Sequence, residues 1–400
     1  MPAHTSHPRA QVRVCQLCAV DFTLNHFLLP LVDAMTAKEW RVISVCSDGP
    51  LVAKMRADGY KIETVAIARS MNPIIAMRSL IALLRLFRRE RIDVLHTHTP
   101  VASFIGRIAA KCAGVPLVVY TAHGFYFHEY MPKWKYVIYV YLERFCGVFT
   151  DLLFCQSAED SSAAKQFRIV PSEKITTIGN GVCRNTFDPS QYGAPENVRT
   201  SLGIPKNAYV VGLVGRQVEE KGICEFLHAV TALARRHSNL YILLVGERLA
   251  SDHSRGVQEL LSKAKNLLST RILVLGRRED IPRLLSAMDL FCLPSWREGM
   301  PRTIIEAMMM GKPVVATNIR GARELVVPEG TGLLVPVRKP EALIAAIEKF
   351  LQNPLWGRTL GDAGRQRALM LYDEQKIIQK QLEIILAALL KRSAHDKLIQ

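Results

Sequence analysis

The chain has 400 residues, of which 49% are hydrophobic and 22% are charged. This length exceeds the usual size of one hydrophobic core and predicts two domains, and the composition excludes an intrinsically disordered chain. The formal net charge of +16 favours an anionic partner, whether nucleic acid, an acidic lipid surface or a phosphorylated small molecule. Charge alone leaves these three partners open.

The cysteines and the apolar segments bear on the location of the protein. The nine cysteines are scattered through apolar runs, which is typical of reduced core residues. Cys15 and Cys18 form one CxxC, but no second CxxC completes a zinc set. The N-terminal residues are polar, and no apolar stretch reaches the roughly 20 residues of a membrane helix. We therefore expect a cytoplasmic protein that is neither secreted nor integral to a membrane.

Short β-branched segments alternate with longer segments of helical period along the whole chain. This alternation predicts an α/β fold in which parallel sheets are covered by helices on both faces. The strands predicted in the first half are residues 12–18, 42–46, 92–96, 117–121, 152–156 and 175–178. The strands predicted in the second half are residues 209–214, 241–245, 272–275, 290–293, 313–316 and 332–335.

A segment rich in turn residues and poor in apolar ones, residues 190–208, separates the two sets of strands. It predicts an N-terminal domain over residues 1–195 and a C-terminal domain over residues 205–375. A final apolar helix, at about residues 376–400, is predicted to pack back onto the N-terminal domain. Two doubly wound domains that face each other would form a cleft, with ligands beyond the carboxyl ends of the strands.

The most specific motif is SWREGMPRTIIEAMMMGKP, which follows a predicted strand and carries Glu298 and Glu306. Pro301 suits the first position of a helix, and Met300 has no side-chain oxygen to cap the helix amides, which leaves them for a ligand. Ile305 is predicted to face the core, so Glu306 points elsewhere and can accept two ribose hydroxyls. Glu298 can do the same for a hexose. The alternative is that both glutamates are merely solvated.

The second motif is GRQVEEKG, a glycine-flanked loop after the first predicted strand of the C-terminal domain. It carries Arg216 and Lys221, and two cations beside backbone amides can bind a diphosphate and stabilise it as a leaving group. The alternative is a surface loop with ordinary charges. The two motifs support each other, because both follow strands of one predicted sheet.

These motifs, GRxxxxKG at 215–222 and E-x7-E at 298–306, resemble the family 4 glycosyltransferases of GT-B fold. The resemblance extends over nearly the whole chain, through DVLHTHTP, YTAHGF, IGNGV and GLLVP. It implies two Rossmann-like domains that face each other across a cleft, and retention of the anomeric configuration without a metal ion or another cofactor. The family analogy further implies a nucleotide diphosphate sugar as donor, UDP by default. A hexose or N-acetylhexosamine would pass to a lipid-linked saccharide or polysaccharide acceptor in cell-envelope, lipopolysaccharide or exopolysaccharide biosynthesis.

The resemblance also implies roles for individual residues. The implied catalytic residues are His123, Arg216, Lys221 and Glu298. The implied donor-binding residues are Gly215, Arg277, Gly299, Met300, Pro301, Thr303 and Glu306. In this scheme Arg216 and Lys221 hold the diphosphate, Glu306 holds the ribose, and Arg277 lies where the family seats its nucleobase. Glu298 and the backbone after it would hold the transferred sugar, which His123 would approach from the N-terminal domain.

Three histidines, His96, His98 and His123, lie at the ends of two successive predicted strands. They could form a metal cluster, but neither carboxylates nor cysteines accompany them, so a structural role or substrate contact is favoured. In family members the histidine at the position of His123 approaches the donor sugar. His96 and His98 are weaker candidates for the same contact.

The loop after the first predicted strand departs from the family pattern. The usual glycine-rich loop is replaced by CAVDFTLNHFLLP, which contains Asp21, Asn25 and His26. These three side chains either face the acceptor or only start the helix that follows. The sequence leaves both alternatives open.

Two segments, residues 73–93 and 131–145, combine cations with apolar or aromatic side chains. Both suit an anionic bilayer surface, which an enzyme extending a lipid-linked saccharide would need. The alternative is that each is a covering helix with a solvated basic edge. We predict peripheral association with the inner face of the plasma membrane, and no nucleic-acid partner.

Three other functional classes share part of this pattern. A nicotinamide-dependent oxidoreductase would need GxGxxG after a strand, and the sequence contains none. A basic membrane or nucleic-acid-binding protein without catalysis would lack the paired glutamates and any affinity for nucleotide sugars. A GT-B epimerase or phosphorylase would share the donor site, and only its products would differ.

Overall fold

A computed structural model describes residues 11–67, 73–248 and 255–399. The chain forms two compact units, which we call unit 1 (Met1–Ile178 with Ile378–Gln400) and unit 2 (Gly179–Ile377). Each unit contains one parallel β-sheet. None of the helices among the described residues is long and apolar enough to cross a membrane.

Unit 1 has a seven-stranded sheet with the order β3-β2-β1-β4-β5-β6-β7. Its strands are β1 (Arg13–Leu17), β2 (Arg41–Cys46), β3 (Ile62–Thr64), β4 (Val94–Thr97), β5 (Leu117–Ala122), β6 (Leu152–Cys155) and β7 (Ile175–Thr177). β1 and β4 are neighbours in the sheet but not in the chain. The space beyond their carboxyl ends is therefore the switch point at which doubly wound sheets bind ligands.

The helices of unit 1 follow the same alternation. They are α1 (Asp21–Thr23), α2 (Leu29–Thr36), α3 (Val52–Ala57), α4 (Pro73–Glu90), α5 (Pro100–Ala113), α6 (Lys133–Gly147) and α7 (Ala158–Gln166). A π-helical turn, Leu24–Leu28, joins α1 to α2 in the segment that replaces the glycine-rich loop.

Unit 2 has a six-stranded sheet with the order β10-β9-β8-β11-β12-β13. Its strands are β8 (Tyr209–Val214), β9 (Leu240–Val245), β10 (Ile272–Val274), β11 (Leu290–Leu293), β12 (Val314–Thr317) and β13 (Gly332–Val335). β8 pairs directly with β11, with Leu290 opposite Val211. The switch point of this sheet therefore lies beyond β8 and β11, the strands that the two motifs follow.

The helices that begin in unit 2 complete the fold. They are α8 (Pro195–Ser201), α9 (Ile223–Ala234), α10 (Arg255–Leu268), α11 (Ile281–Ser286), α12 (Arg302–Met309), α13 (Ala322–Leu325), α14 (Pro340–Gln352), α15 (Pro354–Leu371) and α16 (Glu374–Ile399). From Ile378 onward α16 belongs to unit 1, where Leu382 and Ile385 are buried in the core with Val14 of β1.

Each sheet carries an apolar core on both faces, because successive strand residues point to opposite sides. In β1, Cys15 and Leu17 belong to one buried cluster and Val14 to another. In β8, Val211 and Leu213 belong to one cluster and Val210 to the other. Burial on both faces explains the continuous apolar runs by which the strands were predicted.

The division between the units differs from the boundary that the sequence suggested at residues 195–205. It falls at residue 178, and the turn-rich segment belongs to unit 2. There Val198 of α8 is buried, and the Arg199 side chain donates hydrogen bonds to the Ala287 and Ala208 carbonyls at 2.9 Å each. Turn-rich composition marks an irregular segment, whereas the units are defined by the core against which that segment packs.

Candidate functional site

The loop after β8 forms the first part of the site. A 3-10 turn, Glu219–Lys221, leads to Gly222, whose φ of 69° lies in the left-handed region. A Cβ on Gly222 would lie 2.0 Å from the carbonyl oxygen of Pro294, the residue after β11. Only glycine therefore allows this loop to approach the β11 loop, and the approach brings Lys221 to it.

Lys221 and Glu298 form an ion pair, with 2.5 Å between Nζ and Oε1. The same carboxylate oxygen accepts a hydrogen bond from the Ser295 hydroxyl at 2.8 Å. The two side chains are only 24% and 12% exposed. The fold thus joins the cation of the first motif to the first glutamate of the second, which are 77 residues apart in the chain.

Gly215 and Arg216 begin the β8 loop. The Gly215 N–H donates to the Val245 carbonyl at 2.9 Å, and a Cβ on Gly246 would lie 2.0 Å from the Gly215 carbonyl oxygen. The backbone of Gly215 is therefore closely packed against the end of β9. Arg216 follows with an exposed side chain, at the same edge of the sheet as Lys221.

The backbone between β11 and α12 forms the second part of the site. Pro301 is the residue before the helix rather than its first residue, because its ψ of 111° is extended and α12 begins at Arg302. The uncapped helix start that the sequence predicted for Met300 holds instead at Pro301, because no side-chain hydrogen bond caps the first helix amides. The Ile304 N–H donates to the Pro301 carbonyl at 3.2 Å. The Asn180 amide donates to the Met300 carbonyl at 2.9 Å, and a Cβ on Gly321 would lie 1.5 Å from the Gly299 carbonyl oxygen. Neighbouring loops therefore hold this backbone in place.

The side chains of α12 divide into two faces. Ile305 faces the core as predicted, and it belongs to an apolar stripe of four fully buried side chains: Ile304, Ile305, Met308 and Met309. Thr303 and Glu306 lie half-buried on another face. Helical spacing places Met310 beside Thr303 and Glu306, but Met310 is buried in the core, because α12 ends at Met309. Met300 is buried too, which leaves only its backbone for a ligand.

Glu306 is held rather than solvated. Its Oε1 lies 3.4 Å from Arg302 Nε, and Arg302 Nη2 donates to Glu374 Oε1 at 3.0 Å. Burial raises the pKa of Glu306, and the neighbouring Arg302 guanidinium opposes that rise. Arg302 was not identified from the sequence, although its spacing of four residues from Glu306 is that of a helical ion pair.

Arg277 lies further along the edge of the same sheet. It is exposed in the turn after β10, and β9 separates β10 from β8. The neighbouring Arg278 pairs with Asp280 at 2.7 Å. Arg277 therefore occupies the carboxyl edge of the sheet, two strands away from the β8 loop.

Trp296 connects the two loops and was not identified from the sequence. Its backbone N–H donates to the Glu220 carbonyl at 2.8 Å, and its indole Nε1–H donates to Glu225 Oε1 at 2.8 Å. The Arg338 guanidinium lies 3.9 Å from its ring centroid. A tryptophan in the polar loop after a buried strand was the available signal.

In unit 1 a buried hydrogen-bond network lies at the ends of β1, β4 and β5. Gln16 Oε1 is 2.7 Å from His98 Nε2, and Gln16 Nε2 is 3.4 Å from His96 Nδ1. The same amide nitrogen is 3.1 Å from Met35 Sδ. Gln16 and His96 are fully buried, and His98 is 2% exposed.

The network continues to β5. His96 Nε2 is 2.7 Å from Thr121 Oγ1, and His98 Nδ1 is 3.2 Å from His123 Nε2. Burial lowers the pKa of His96 to about 3 and that of His123 to about 4, and it lowers the pKa of His98 well below the usual value. All three rings are therefore neutral at physiological pH.

The histidines and cysteines considered as metal ligands have other surroundings in the structure. Among the described residues, no group of three or more histidines, cysteines or acidic residues could hold a metal ion. His96 and His98 use their ring nitrogens in hydrogen bonds instead. All nine cysteines are free, and burial raises the pKa of Cys15 and Cys18, which keeps them as thiols.

The loop after β1 has a partly structural role. The Asp21 carboxylate accepts from the Leu51 N–H at 3.0 Å and from the Phe22 N–H at 2.8 Å, so it fixes the start of α1 against the loop before α3. Asn25 and His26 lie half-buried in the π-helical turn. The His26 ring is 4.3 Å from the Phe22 ring.

Solved structures share this fold. Anabaena HepE in complex with UDP and glucose matches with a TM-score of 0.76 and 23% identity, over 94% of this chain and 99% of that one. A glycosyltransferase from Rickettsia africae matches with a TM-score of 0.76 and 21% identity, over 95% of this chain and 99% of that one. The fold is that of the GT-B glycosyltransferases.

Sequence comparison defines the family. Residues 25–185 match the profile described as Glycosyltransferase Family 4, and residues 208–353 match Glycosyl transferases group 1. UDP-Gal:alpha-D-GlcNAc-diphosphoundecaprenol alpha-1,3-galactosyltransferase of Escherichia coli is 30% identical over 87% of this chain and 90% of that protein. N,N'-diacetylbacillosaminyl-diphospho-undecaprenol alpha-1,3-N-acetylgalactosaminyltransferase of Campylobacter jejuni is 23% identical over 93% of this chain and 98% of that protein. The chain belongs to the family 4 glycosyltransferases, which confirms the resemblance of its motifs.

Proposed function

We propose that this glycosyltransferase transfers a hexose or N-acetylhexosamine from a UDP-sugar to a lipid-linked saccharide or polysaccharide acceptor in cell-envelope or exopolysaccharide biosynthesis. The observation that carries the proposal is the Lys221–Glu298 ion pair beyond the adjacent strands β8 and β11. The names of the E. coli and C. jejuni relatives specify sugar transfer to diphosphoundecaprenol-linked sugars. UDP is the nucleotide in the name of the E. coli relative and in the HepE complex.

The Lys221–Glu298 ion pair links diphosphate binding to sugar binding in the proposed donor site. Lys221 and Arg216 hold the diphosphate, and the uncapped amides of α12 add positive potential for the departing charge. Glu298 accepts hydroxyls of the transferred sugar. Because Lys221 contacts Glu298 directly, one cation serves both the phosphate and the carboxylate that orients the sugar. The backbone of Gly299, Met300 and Pro301 completes the sugar contacts.

The nucleoside is held by the other donor-site residues. Glu306 accepts the two ribose hydroxyls, and Thr303 lies one turn before it on the same half-buried face of α12. Arg302 holds the Glu306 carboxylate. Arg277, at the end of β10, is the proposed contact of the nucleobase.

We infer that the reaction retains the anomeric configuration and needs neither a metal ion nor another cofactor. Lys221 and Arg216 supply the positive charge that the leaving diphosphate requires. Glu298 is engaged by Lys221 and Ser295, and Glu306 by Arg302, so both carboxylates are binding groups and neither is a nucleophile. His123 remains the predicted contact of the transferred sugar.

Calorimetric titration of UDP, GDP and ADP into the wild type, Glu306→Ala and Glu329→Ala tests the donor site. Glu329 is an exposed glutamate of the same unit, paired with Lys349 at 2.7 Å, and serves as the matched control. We expect micromolar binding of UDP to the wild type and the control, and binding about 10- to 100-fold weaker in Glu306→Ala, since charge-assisted hydrogen bonds are lost. Unchanged affinity in Glu306→Ala would contradict the ribose assignment.

Product analysis tests the reaction. The protein is incubated with UDP-sugars and a polyprenyl diphosphate saccharide in the presence of EDTA, and the new linkage is examined by NMR. We expect a glycoside with the anomeric configuration of the donor. A free epimer or a sugar phosphate would instead identify an epimerase or a phosphorylase.

We further propose that α6 places unit 1 on the anionic inner face of the plasma membrane. One helix exposes a row of large apolar side chains: Trp134, Val137, Ile138, Tyr141 and Phe145. Lys133, Lys135 and Arg144 are exposed on the same helix. An exposed row of aromatic and aliphatic groups with cations beside it suits an interface of anionic lipid headgroups.

Co-sedimentation with liposomes tests this surface. We expect binding to phosphatidylglycerol vesicles that weakens with added salt, and much weaker binding to phosphatidylcholine vesicles. The variant Trp134→Ser/Phe145→Ser should lose this binding. Leu355→Ser, at a 76% exposed leucine of unit 2, is the matched control and should bind as the wild type does.

A further inference from the structure

Gln16 is a buried polar residue that donor binding does not explain. It lies within β1, fully buried, between apolar neighbours. Its side chain contacts two histidines, His96 and His98, and the second of these contacts His123. A buried amide with partners on both sides sets the direction of every hydrogen bond in such a network.

Met35 fixes the orientation of the Gln16 amide. A thioether sulfur only accepts hydrogen bonds, so the group 3.1 Å from Met35 Sδ is the amide NH2. The same NH2 faces His96 Nδ1 at 3.4 Å, and the amide oxygen faces His98 Nε2 at 2.7 Å. A reversed amide would place its oxygen against the sulfur and lose that bond.

This orientation determines the tautomers of the rings. A carbonyl oxygen only accepts, so His98 Nε2 carries the hydrogen and Nδ1 of the neutral ring is bare. The unprotonated Nδ1 of His98 is a hydrogen-bond acceptor and lies 3.2 Å from His123 Nε2. His123 Nε2 is therefore the donor and carries a hydrogen as well. By the same reasoning His96 accepts at Nδ1 from Gln16 and donates from Nε2 to Thr121 Oγ1.

The surroundings keep the rings neutral. Burial lowers the pKa of each of the three histidines, and the neighbouring rings lower the pKa of His96 and His98 further. The strands and helix packed around the network contribute groups that do not titrate: Gln16, Met35, Thr121 and Phe154. The Gln156 side chain acts in the opposite direction and raises the pKa of His123, but burial outweighs it.

We propose that Gln16 is a positioning residue for the transfer reaction, because through His98 it holds His123 in one tautomer and one orientation. A ring nitrogen that donates to a sugar hydroxyl cannot replace one that accepts, so the tautomer decides which contact His123 can make. The proposal rests on the proposed function only for that sugar contact. The tautomers themselves are a property of unit 1.

Two substitutions separate positioning from simple packing. Gln16→Leu removes the acceptor for His98, so His98 is free to donate from Nδ1 and to reverse the His123 tautomer. Gln16→Glu keeps an acceptor for His98 Nε2–H, but its carboxylate favours a protonated His98. In a protonated His98 ring, Nδ1 also carries a hydrogen, so it faces the Nε2–H of His123 donor to donor. His123 must then change its tautomer or its orientation. Gln16→Glu should therefore retain activity at high pH and lose it as the pH falls, where the wild type remains active.

The experiment combines ¹⁵N NMR of histidine-labelled full-length protein with steady-state transfer from a UDP-sugar. In the wild type we expect ¹⁵N shifts of neutral Nε2–H rings for His96, His98 and His123. In Gln16→Leu we expect altered tautomers at His98 and His123. We also expect a fall in kcat of about 10- to 100-fold, by analogy with the loss of a group that orients a metal-bound histidine. The KM for the UDP-sugar should be unchanged. Gln381→Leu, at another buried glutamine of unit 1, is the matched control.

Three results would overturn the proposal: wild-type tautomers in Gln16→Leu, a kcat loss no larger than that of Gln381→Leu, or a wild-type pH profile in Gln16→Glu. If Gln16→Leu does not fold, the pH profile and NMR spectrum of Gln16→Glu decide. UDP affinity, measured on the same samples, distinguishes failure of the proposed function from failure of the positioning role of Gln16. A wild type that binds no nucleotide and transfers no sugar contradicts the proposed function, whereas the tautomers test the network independently.

Discussion

The strand ends of the two units are built from opposite kinds of chemical group. In unit 2, the neighbouring strands β8 and β11 lead into formal charges, with Lys221 on Glu298 and Arg302 on Glu306 one helix turn further on. In unit 1, the last residues of β1, β4 and β5 and the residues just after them supply an amide, a hydroxyl and three neutral histidines. Both sites lie at the carboxyl edge of a parallel sheet.

This difference predicts how each site responds to change. A charged pair responds to the removal of either charge, to salt and to the protonation of its carboxylate. A neutral network responds to the exchange of a donor for an acceptor and little to salt. Substitutions that remove charge should therefore affect unit 2 strongly, whereas substitutions that reverse a hydrogen bond should affect unit 1.

The largest effect is expected from Lys221→Met. This change removes the cation of the diphosphate site and leaves the 12% exposed Glu298 carboxylate with the Ser295 hydroxyl as its hydrogen-bond donor. We expect kcat to fall by about 10²- to 10³-fold, the usual cost of losing one group that stabilises a leaving charge. Steady-state kinetics with the UDP-sugar would measure it.

Lys349→Met is the matched control for this prediction. Lys349 is an exposed lysine of unit 2 that also pairs with a glutamate, Glu329, at 2.7 Å. The Lys349→Met variant should keep the kcat of the wild type. A Lys221→Met enzyme with a raised KM and wild-type kcat would show that Lys221 binds the donor ground state and the transition state equally, which contradicts its role with the leaving group.

The fold could be predicted because parallel strands are buried on both faces, so each strand is a continuous apolar run in the sequence. The predicted strands at residues 209–214, 290–293 and 332–335 coincide with β8, β11 and β13. β3 was missed, since it is a three-residue edge strand in which only Ile62 is buried. The π-helical turn after β1 has no periodic signal by which it could be predicted.

The motifs identified residue types, but not the contacts between them. That Lys221 meets Glu298 depends on β8 pairing with β11, a crossover that no local pattern specifies. Arg302 was overlooked because an ordinary arginine in the first turn of a helix is usually solvated. Gln16 was overlooked for the opposite reason, since one amide within an apolar strand was taken as part of the strand.

Arg302→Met should produce a pH-dependent effect of intermediate size. Burial raises the pKa of Glu306 and Arg302 opposes that rise, so the variant should have a still higher pKa at Glu306. An ionised Glu306 binds the ribose in the proposed scheme, so UDP affinity should fall as the pH drops through this pKa. Calorimetry from pH 8 to pH 5 should show the variant losing about tenfold in affinity at a higher pH than the wild type.

The stability of Arg302→Met gives a second measurement of the same group. A carboxyl whose pKa is raised by folding stabilises the protein when it is protonated, and this contribution is lost as the pH rises through the raised pKa. The variant should therefore lose more thermal stability at pH 8 than at pH 5. Arg358→Met, at an exposed arginine of α15, should show neither effect. A pH-independent loss of UDP affinity in Arg302→Met would exclude Glu306 as the group that titrates.

The smallest effect is expected from Trp296→Phe, which removes one neutral donor from the charged site. The indole N–H bond to Glu225 is lost, while a ring remains for Arg338 to stack on. Because Trp296 positions the loop and is not itself a proposed donor contact, we expect KM for the UDP-sugar to rise by only about two- to fivefold with kcat unchanged. Trp356→Phe, whose ring stacks on Phe350 elsewhere in unit 2, is the matched control.

The histidine ¹⁵N spectrum of Trp296→Phe extends this prediction to the other unit. Trp296 braces the β8 loop against the β11 loop, and both loops belong to unit 2. If the two sites are independent, His96, His98 and His123 should keep the shifts of the wild type while KM rises. Altered tautomers in this variant would mean that a hydrogen bond in unit 2 controls the network of unit 1. The charged site of unit 2 and the neutral network of unit 1 would then not be independent.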